Sequence, residues 1–306
     1  MKTPSYSLST SWNSPSCANG FDIINQIKSM GFDTVELDWA LPKKMVDEIL
    51  SMKTSGEINV SSLHNICPLP EGVTPDEATP DYYCLSSPDE EERGMAVKAA
   101  RNTIDYAKRF GARAVVLHLG RVYITEHMRQ LASLIKDKER SGRLRDEMIK
   151  ERLKNRAGFL DSVIKSLEEL VPYSLDTGLC LGIENRYYYR EIPLIDELET
   201  IFANFKAGSL YYWHDMGHAE VFDRLGLARH RDFLDRFANR LIGIHLHDII
   251  STIDDHNVPG TGTIDFGMLK PYLGPQTIRV LEIHGQVSPQ QICEGVKFLK
   301  SILDAS

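Results

Sequence analysis

Residues 241–248 read Leu-Ile-Gly-Ile-His-Leu-His-Asp. The run is apolar and β-branched, as a buried strand requires, yet it ends on two imidazoles and a carboxylate. A parallel strand is buried on both faces, so a charged group in it costs several kcal/mol of desolvation unless something positive compensates it. The same construction recurs along the chain. Strands are predicted over Tyr6–Thr10, Thr34–Asp38, Asn59–His64, Ala114–Leu119, Cys180–Glu184, Leu210–Asp215, Leu241–His247 and Ile278–Ile283. Amphipathic periods between them predict helices over Phe21–Met30, Lys43–Met52, Asp89–Phe110, Thr125–Leu170, Leu194–Phe205, Ala219–Ala238, Phe266–Leu273 and Pro289–Leu303. Met30-Gly31-Phe32 and Phe110-Gly111-Ala112 put glycine where a left-handed helix terminator belongs. Eight strands alternating with eight helices predict an α/β fold, a single-domain (β/α)8 TIM barrel over residues 1–306.

An open doubly wound sheet would announce a nucleotide site with a Gly-rich turn after an early strand. The nearest candidate, Pro259-Gly260-Thr261-Gly262-Thr263, follows the seventh strand and lacks a third glycine, so it reads as a tight loop. The polar residues are more informative. Strand tips carry Glu36 and Asp38, His64, His118, Glu184, His214 and Asp215, His245 and His247, and Glu282, and eight of the ten histidines fall at or just after such tips. In a barrel these tips share one rim, the face that carries active sites. One strand-end histidine usually just satisfies a backbone carbonyl. Acids and imidazoles on seven successive strands, without thiolates, are a ligand set for Zn2+, Mn2+, Fe2+ or Co2+, and a cation would supply the compensation that buried carboxylates need. His245 and His247 share a strand face, so one reads as ligand and the other as a substrate contact.

Composition narrows the partners. The chain has 306 residues, 35 Lys+Arg against 43 Asp+Glu and a net charge of −8, which disfavours nucleic acid as the main partner. No apolar run is long enough for a membrane helix and the first residues lack a signal-peptide core, so the reading is cytoplasmic, with no membrane partner. Five scattered cysteines without a Cys-x-x-Cys pair read as reduced thiols. The charged run Lys136–Arg156 reads as a solvated helix face. Arg186-Tyr187-Tyr188-Tyr189-Arg190 follows the fifth strand, where rings and guanidinium groups can stack on a sugar or pair with a phosphate. Self-association as a homo-oligomer is left open.

Gly182-Ile183-Glu184-Asn185, Asp215-Met216-Gly217-His218, His245-Leu246-His247-Asp248, Pro259-Gly260-Thr261-Gly262-Thr263-Ile264-Asp265 and Glu282 together resemble the xylose-isomerase-like TIM barrels, over nearly the whole chain. That family includes sugar isomerases and epimerases and the endonuclease IV group of apurinic-site nucleases. The resemblance implies a divalent metal ion (Mn2+, Zn2+, Mg2+ or Co2+) held by Glu184, Asp215, His245 and Glu282. It implies an isomerase or epimerase of carbohydrate metabolism acting on a sugar, sugar phosphate or polyol. Glu184 and Glu282 would move protons, and His218 would act near the carbonyl. His247, Arg186 and Glu36 are the expected substrate contacts.

The nuclease branch of the resemblance implies one to three metals. His64, His118 and Glu184 would hold the first; Glu184, Asp215, His245 and Glu282 the second; His218, Asp254 and His256 the third. Such a centre suits phosphodiester cleavage. Against it, Ser9-Thr10-Ser11-Trp12-Asn13-Ser14-Pro15 does not look like the DNA-contacting segment of those nucleases. A barrel that binds without catalysing has little use for two general-base candidates, Glu184 and Glu282.

Overall fold

The computed structural model describes residues 6–79 and 81–304. Eight parallel strands close into one barrel in sequence order: β1 (Tyr6–Ser9), β2 (Thr34–Leu37), β3 (Asn59–His64), β4 (Ala114–Leu117), β5 (Cys180–Glu184), β6 (Tyr211–Asp215), β7 (Leu241–Leu246) and β8 (Ile278–Leu281). Closure is made by β1 on β8, with Leu8 opposite Leu281. Around the barrel run α1 (Gly20–Ser29), α2 (Lys43–Thr54), α3 (Glu90–Phe110), α4 (Met128–Leu134), α5 (Lys138–Asn155), α6 (Ala157–Thr177), α7 (Ile195–Asn204), α8 (Met216–Arg224), α9 (His230–Phe237) and α10 (Pro289–Leu303). The alternation expected from the sequence is therefore present.

Three boundaries differ for local reasons. The predicted helix Thr125–Leu170 is α4, α5 and part of α6, because Asp137 starts a fresh helix by accepting from Arg140 N, and Arg156 is the junction between α5 and α6. The predicted Ala219–Ala238 helix is α8 and α9, divided at Gly226, whose φ of +66° no helix accommodates. After β7 there is only a short 3-10 turn, Phe266–Leu269. Helix α3 ends as expected, with Gly111 in the left-handed region.

Two cores hold the fold. The larger lies between strands and helices, and the smaller fills the barrel axis with Ala114, Val116, Trp213, Ile278 and Val280. Trp213 fits because the neighbouring strands make room: a Cβ on Gly243 would lie 2.1 Å from its indole, and one on Gly182 would lie 3.2 Å from it. All five cysteines are free. Among the described residues no helix is long and apolar enough to cross a membrane.

Candidate metal centre

At the C-terminal rim the strand tips bring four groups together. Glu184, Asp215, His245 and Glu282 offer ligand atoms all within 4.8 Å of one another, and every one of these side chains is buried. His245 is the hub. Its Nδ1 lies 2.6 Å from Glu184 Oε1, 3.0 Å from Glu282 Oε2 and 3.6 Å from Asp215 Oδ2. Its Nε2 donates to Glu36 Oε1 at 2.9 Å, and Glu36 accepts a second bond from Ser62 Oγ at 2.7 Å. Burial alone would push these carboxyls up. The histidines outweigh it: His118 and His245 hold Glu184 well below the usual carboxylate range, His218 and His247 do so for Asp215, and His245 with His256 and His284 for Glu282. Burial disfavours a charged His245, but Glu282, Glu36 and Glu184 raise it well above an ordinary imidazole.

The Asp-x-x-His spacing of residues 215–218 has a local cause. Asp215 is both the last residue of β6 and the N-cap of α8, and its Oδ1 accepts from His218 N at 2.7 Å. One carboxylate therefore turns a strand into a helix and places an imidazole one turn later. His218 donates from Nδ1 to Asn185 O at 3.0 Å, and its Nε2 lies 3.8 Å from Asp255 Oδ2. Asn185 locks the tips of β5 and β6 by donating to Asp215 O and accepting from Asp215 N.

Two further groups flank the hub. His64, His118 and Glu184 form one; His118 Nε2 lies 2.6 Å from Glu184 Oε2. His218, His247 and His256 form the other. His256 has φ +56°, a left-handed conformation rarely adopted by a side-chain-bearing residue and often found at functional sites. Burial holds His256 below an ordinary imidazole, which leaves its ring available as a ligand. The donor set of carboxylate oxygens and imidazole nitrogens suits a divalent cation.

Most sequence-predicted residues meet here, and three change place. Asp254 is exposed; the neighbouring Asp255 turns its carboxylate to His218 and His256. Glu36 is buried beneath His245 rather than facing a substrate. His247 is also fully buried, with both ring nitrogens engaged: Nε2 donates to Asp215 at 3.0 Å, and Nδ1 accepts from His256 N at 2.8 Å. Asp215 raises His247 to about 9 against its burial, but protonating Nδ1 would forfeit the His256 bond, so this geometry holds the neutral ring. Arg186 does line the cavity, tied to Glu184 at 2.9 Å and Glu191 at 3.1 Å and packed on His118.

The cavity above these groups measures about 300 Å³, at the small end of the range for small-molecule sites. It is also lined by Asp81, Arg121, Glu191 and His284, which the sequence reading did not select. Asp81 sits on the long β3–α3 connection, where no period marks it. His284 does follow β8, and its ring stacks on His256 at 3.8 Å. The loop 259–263 is closed to phosphate for a physical reason. Asp248 fills it, its Oδ2 accepting from Gly260 N and Gly262 N and its Oδ1 from Ile249 N and Ile264 N.

The family profile described as "Xylose isomerase-like TIM barrel" matches residues 24–302. The chain belongs to that family. Among solved structures, this xylose isomerase-like barrel is similar to a D-tagatose 3-epimerase-like protein, at 18% identity and a TM-score of 0.69 over 98% of this chain and 97% of that one. A putative xylose isomerase from Rhodospirillum rubrum shares 14% identity at a TM-score of 0.71, covering 98% and 99%. The 3-keto-D-glucoside 4-epimerase YcjR from E. coli shares 14% at 0.67, covering 98% and 100%. Among curated proteins, the uncharacterized MJ1311 of Methanocaldococcus jannaschii is 26% identical over 186 residues, 59% of this chain and 53% of that protein. The chain spans about half the length of the curated relatives it matches.

In this xylose isomerase-like barrel Glu36 gives a first test of the centre. A carboxylate behind a ligating histidine fixes the ring's tautomer and raises its basicity. Glu36→Gln keeps the shape and removes the charge, so affinity for Mn2+ or Zn2+ is expected to fall about 10–100-fold in a chelator competition. Unchanged affinity would mean that Glu36 does not act through His245.

Proposed function

We propose that the protein is a divalent-metal-dependent sugar epimerase or isomerase. The observation that carries the reading is the pair Glu184 and Glu282, which approach His245 Nδ1 at 2.6 Å and 3.0 Å from the tips of different strands and line the same cavity. Glu184, Asp215, His245 and Glu282 would hold the cation, which when bound supplies Lewis acidity toward a carbonyl oxygen. The chain's own residues do the rest. One glutamate takes the proton from the carbon beside the carbonyl. For the epimer, the other glutamate enters the step protonated and delivers its proton to the opposite face of that carbon, and the two carboxyls re-equilibrate with solvent before the next turnover. For the isomer, a proton is returned to the neighbouring carbon while the substrate's hydroxyl proton passes to the former carbonyl oxygen. His218, which lines the cavity, would hydrogen-bond a substrate hydroxyl through Nε2. The epimerase and isomerase names of the structural neighbours are consistent with this reading.

A second reading has its own observation. His64 and His118 add to Glu184 on one side of the hub, and His218, His256 and Asp255 stand on the other, which is a ligand supply for more than one cation. That arrangement favours phosphoester cleavage.

One experiment separates the two. The metal-loaded protein is incubated in D2O with a panel of ketoses, and deuterium at carbon is followed by NMR. Incorporation, with about one metal per chain, is the expected result. No incorporation, with hydrolysis of bis-p-nitrophenyl phosphate and two or three metals per chain, would transfer the reaction to the second class.

A further inference from the structure

The mouth of the cavity is built differently from its floor. The segments after β4 and β5 run antiparallel there: Arg121 bridges Glu191, Val122 N donates to Arg190 O at 2.7 Å, and Ile192 N donates to Gly120 O at 2.9 Å. Ser86 clamps the same place, its Oγ accepting from Arg121 N at 2.9 Å and donating to Arg121 O at 3.0 Å. Gly120 allows the approach, with φ +102° and an added Cβ only 2.4 Å from Ser86 Oγ. Two arginines, Arg121 and Arg190, are thereby fixed by their backbones on adjacent segments. Both line the catalytic cavity, and both also line a shallower one of about 360 Å³ outside it. They form the partition between the two.

Their charge is less fully answered inside than that of Arg186, although both act on the buried Asp81. Arg186, deeper in, is answered by Glu184, Glu191 and Asp81. Arg190 lies over the Tyr188 ring, and its nearest carboxylate, on Glu126, is 3.7 Å from Nε, with no hydrogen bond to that nitrogen. The Arg121 guanidinium has neither a carboxylate partner nor a side-chain hydrogen bond among the described residues; its bonds to Ser86 are backbone bonds. A guanidinium offers a planar fork of donors matched to two oxygens of a phosphate or carboxylate. In a chain of net charge −8, cationic groups held at a cavity mouth select for anionic ligands.

We propose that Arg121 and Arg190 receive an oxyanion group of the substrate, so that the molecule held in this cavity is a phosphorylated or carboxylated sugar rather than a neutral one. This rests on the reading that the cavity holds the substrate, and not on the kind of reaction.

The test is calorimetric, on the metal-loaded protein, with D-ribose 5-phosphate, D-ribonate and D-ribose as probes. The expected result is binding of at least one anionic probe about tenfold or more tighter than ribose. The Arg121→Ala/Arg190→Ala double variant is expected to lose that preference at unchanged metal content and Tm. Preference for the phosphate or for the carboxylate identifies which group is read. Equal affinities for all three probes, no binding of either anion at millimolar concentration, or a preference that survives in the double variant would overturn the proposal. Binding is read without turnover, so discrimination without carbon-proton exchange keeps this inference and removes the epimerase reading. Exchange without discrimination does the reverse.

Discussion

Glu282→Gln is expected to lower turnover by about 10²–10⁴-fold, the contribution of a positioned acid or base, with the barrel still folded. The substitution keeps the side chain's size and one oxygen for His245 Nδ1, now 3.0 Å from Glu282 Oε2, but abolishes proton transfer. Glu184→Gln should do the same. It also disturbs His118 and Arg186, which both contact Glu184 Oε2, so its effect includes a change in cavity shape. Metal content measured beside turnover separates proton transfer from loss of the cation. Turnover within a few-fold of the wild type in Glu282→Gln would defeat the acid/base assignment.

The second large effect is on stability. Arg152 is 1% exposed near the end of α5 and makes a fork to Glu197, with Nη2 2.7 Å from Oε2 and Nε 3.1 Å from Oε1. It also donates to Tyr189 O and to Glu191 O, the backbone of the loop that carries Arg186 and Arg190. Glu197 in turn accepts from Leu194 N at the start of α7. Arg152→Ala removes this donor from two carbonyls and leaves the buried Glu197 carboxylate only Leu194 N and the more distant Arg156, at a cost of about 3–5 kcal/mol. The expected fall in Tm is on the order of 10 °C. Replacing both partners, Arg152→Met with Glu197→Leu, should recover much of the loss, because paired charges of this kind are often dispensable together. A thermal melt of Arg152→Ala that matches the wild type would remove the claim.

Arg152 also shows where the sequence stops being legible. The run Lys136–Arg156 carries charge at helical spacing, and most of α5 is exposed as such spacing predicts. Nothing in the period marks Arg152 as the inward charge, because its partner Glu197 lies 45 residues away on another helix. The strands were legible for the opposite reason: a short apolar run, β-branched content and an imidazole or carboxylate at the tip are all local, and β3 and β5 carry the predicted boundaries. The four central ligand candidates lie on those tips. Glu36 and His247 shared the same signature, yet Glu36 is buried against His245 and His247 between Asp215 and the His256 backbone, contacts that a tip position does not contain. The choice between Asp254 and Asp255 depended on a loop conformation, with the positive φ of His256 at its end. Arg121 and Asp81 reach the cavity from connections, where no pattern constrains direction.

The indole of Trp213, seated under His245 with ring centroids 5.1 Å apart, plugs the axis of the barrel just below the ligand cluster. Among the described residues the cavity therefore opens only at its rim. With one opening, a departing product and an arriving substrate must use the same passage, and they cannot occupy the cavity together. On the proposed reaction such a site would work by strict alternation, product leaving before substrate lands, and accumulated product is expected to inhibit in a purely competitive manner.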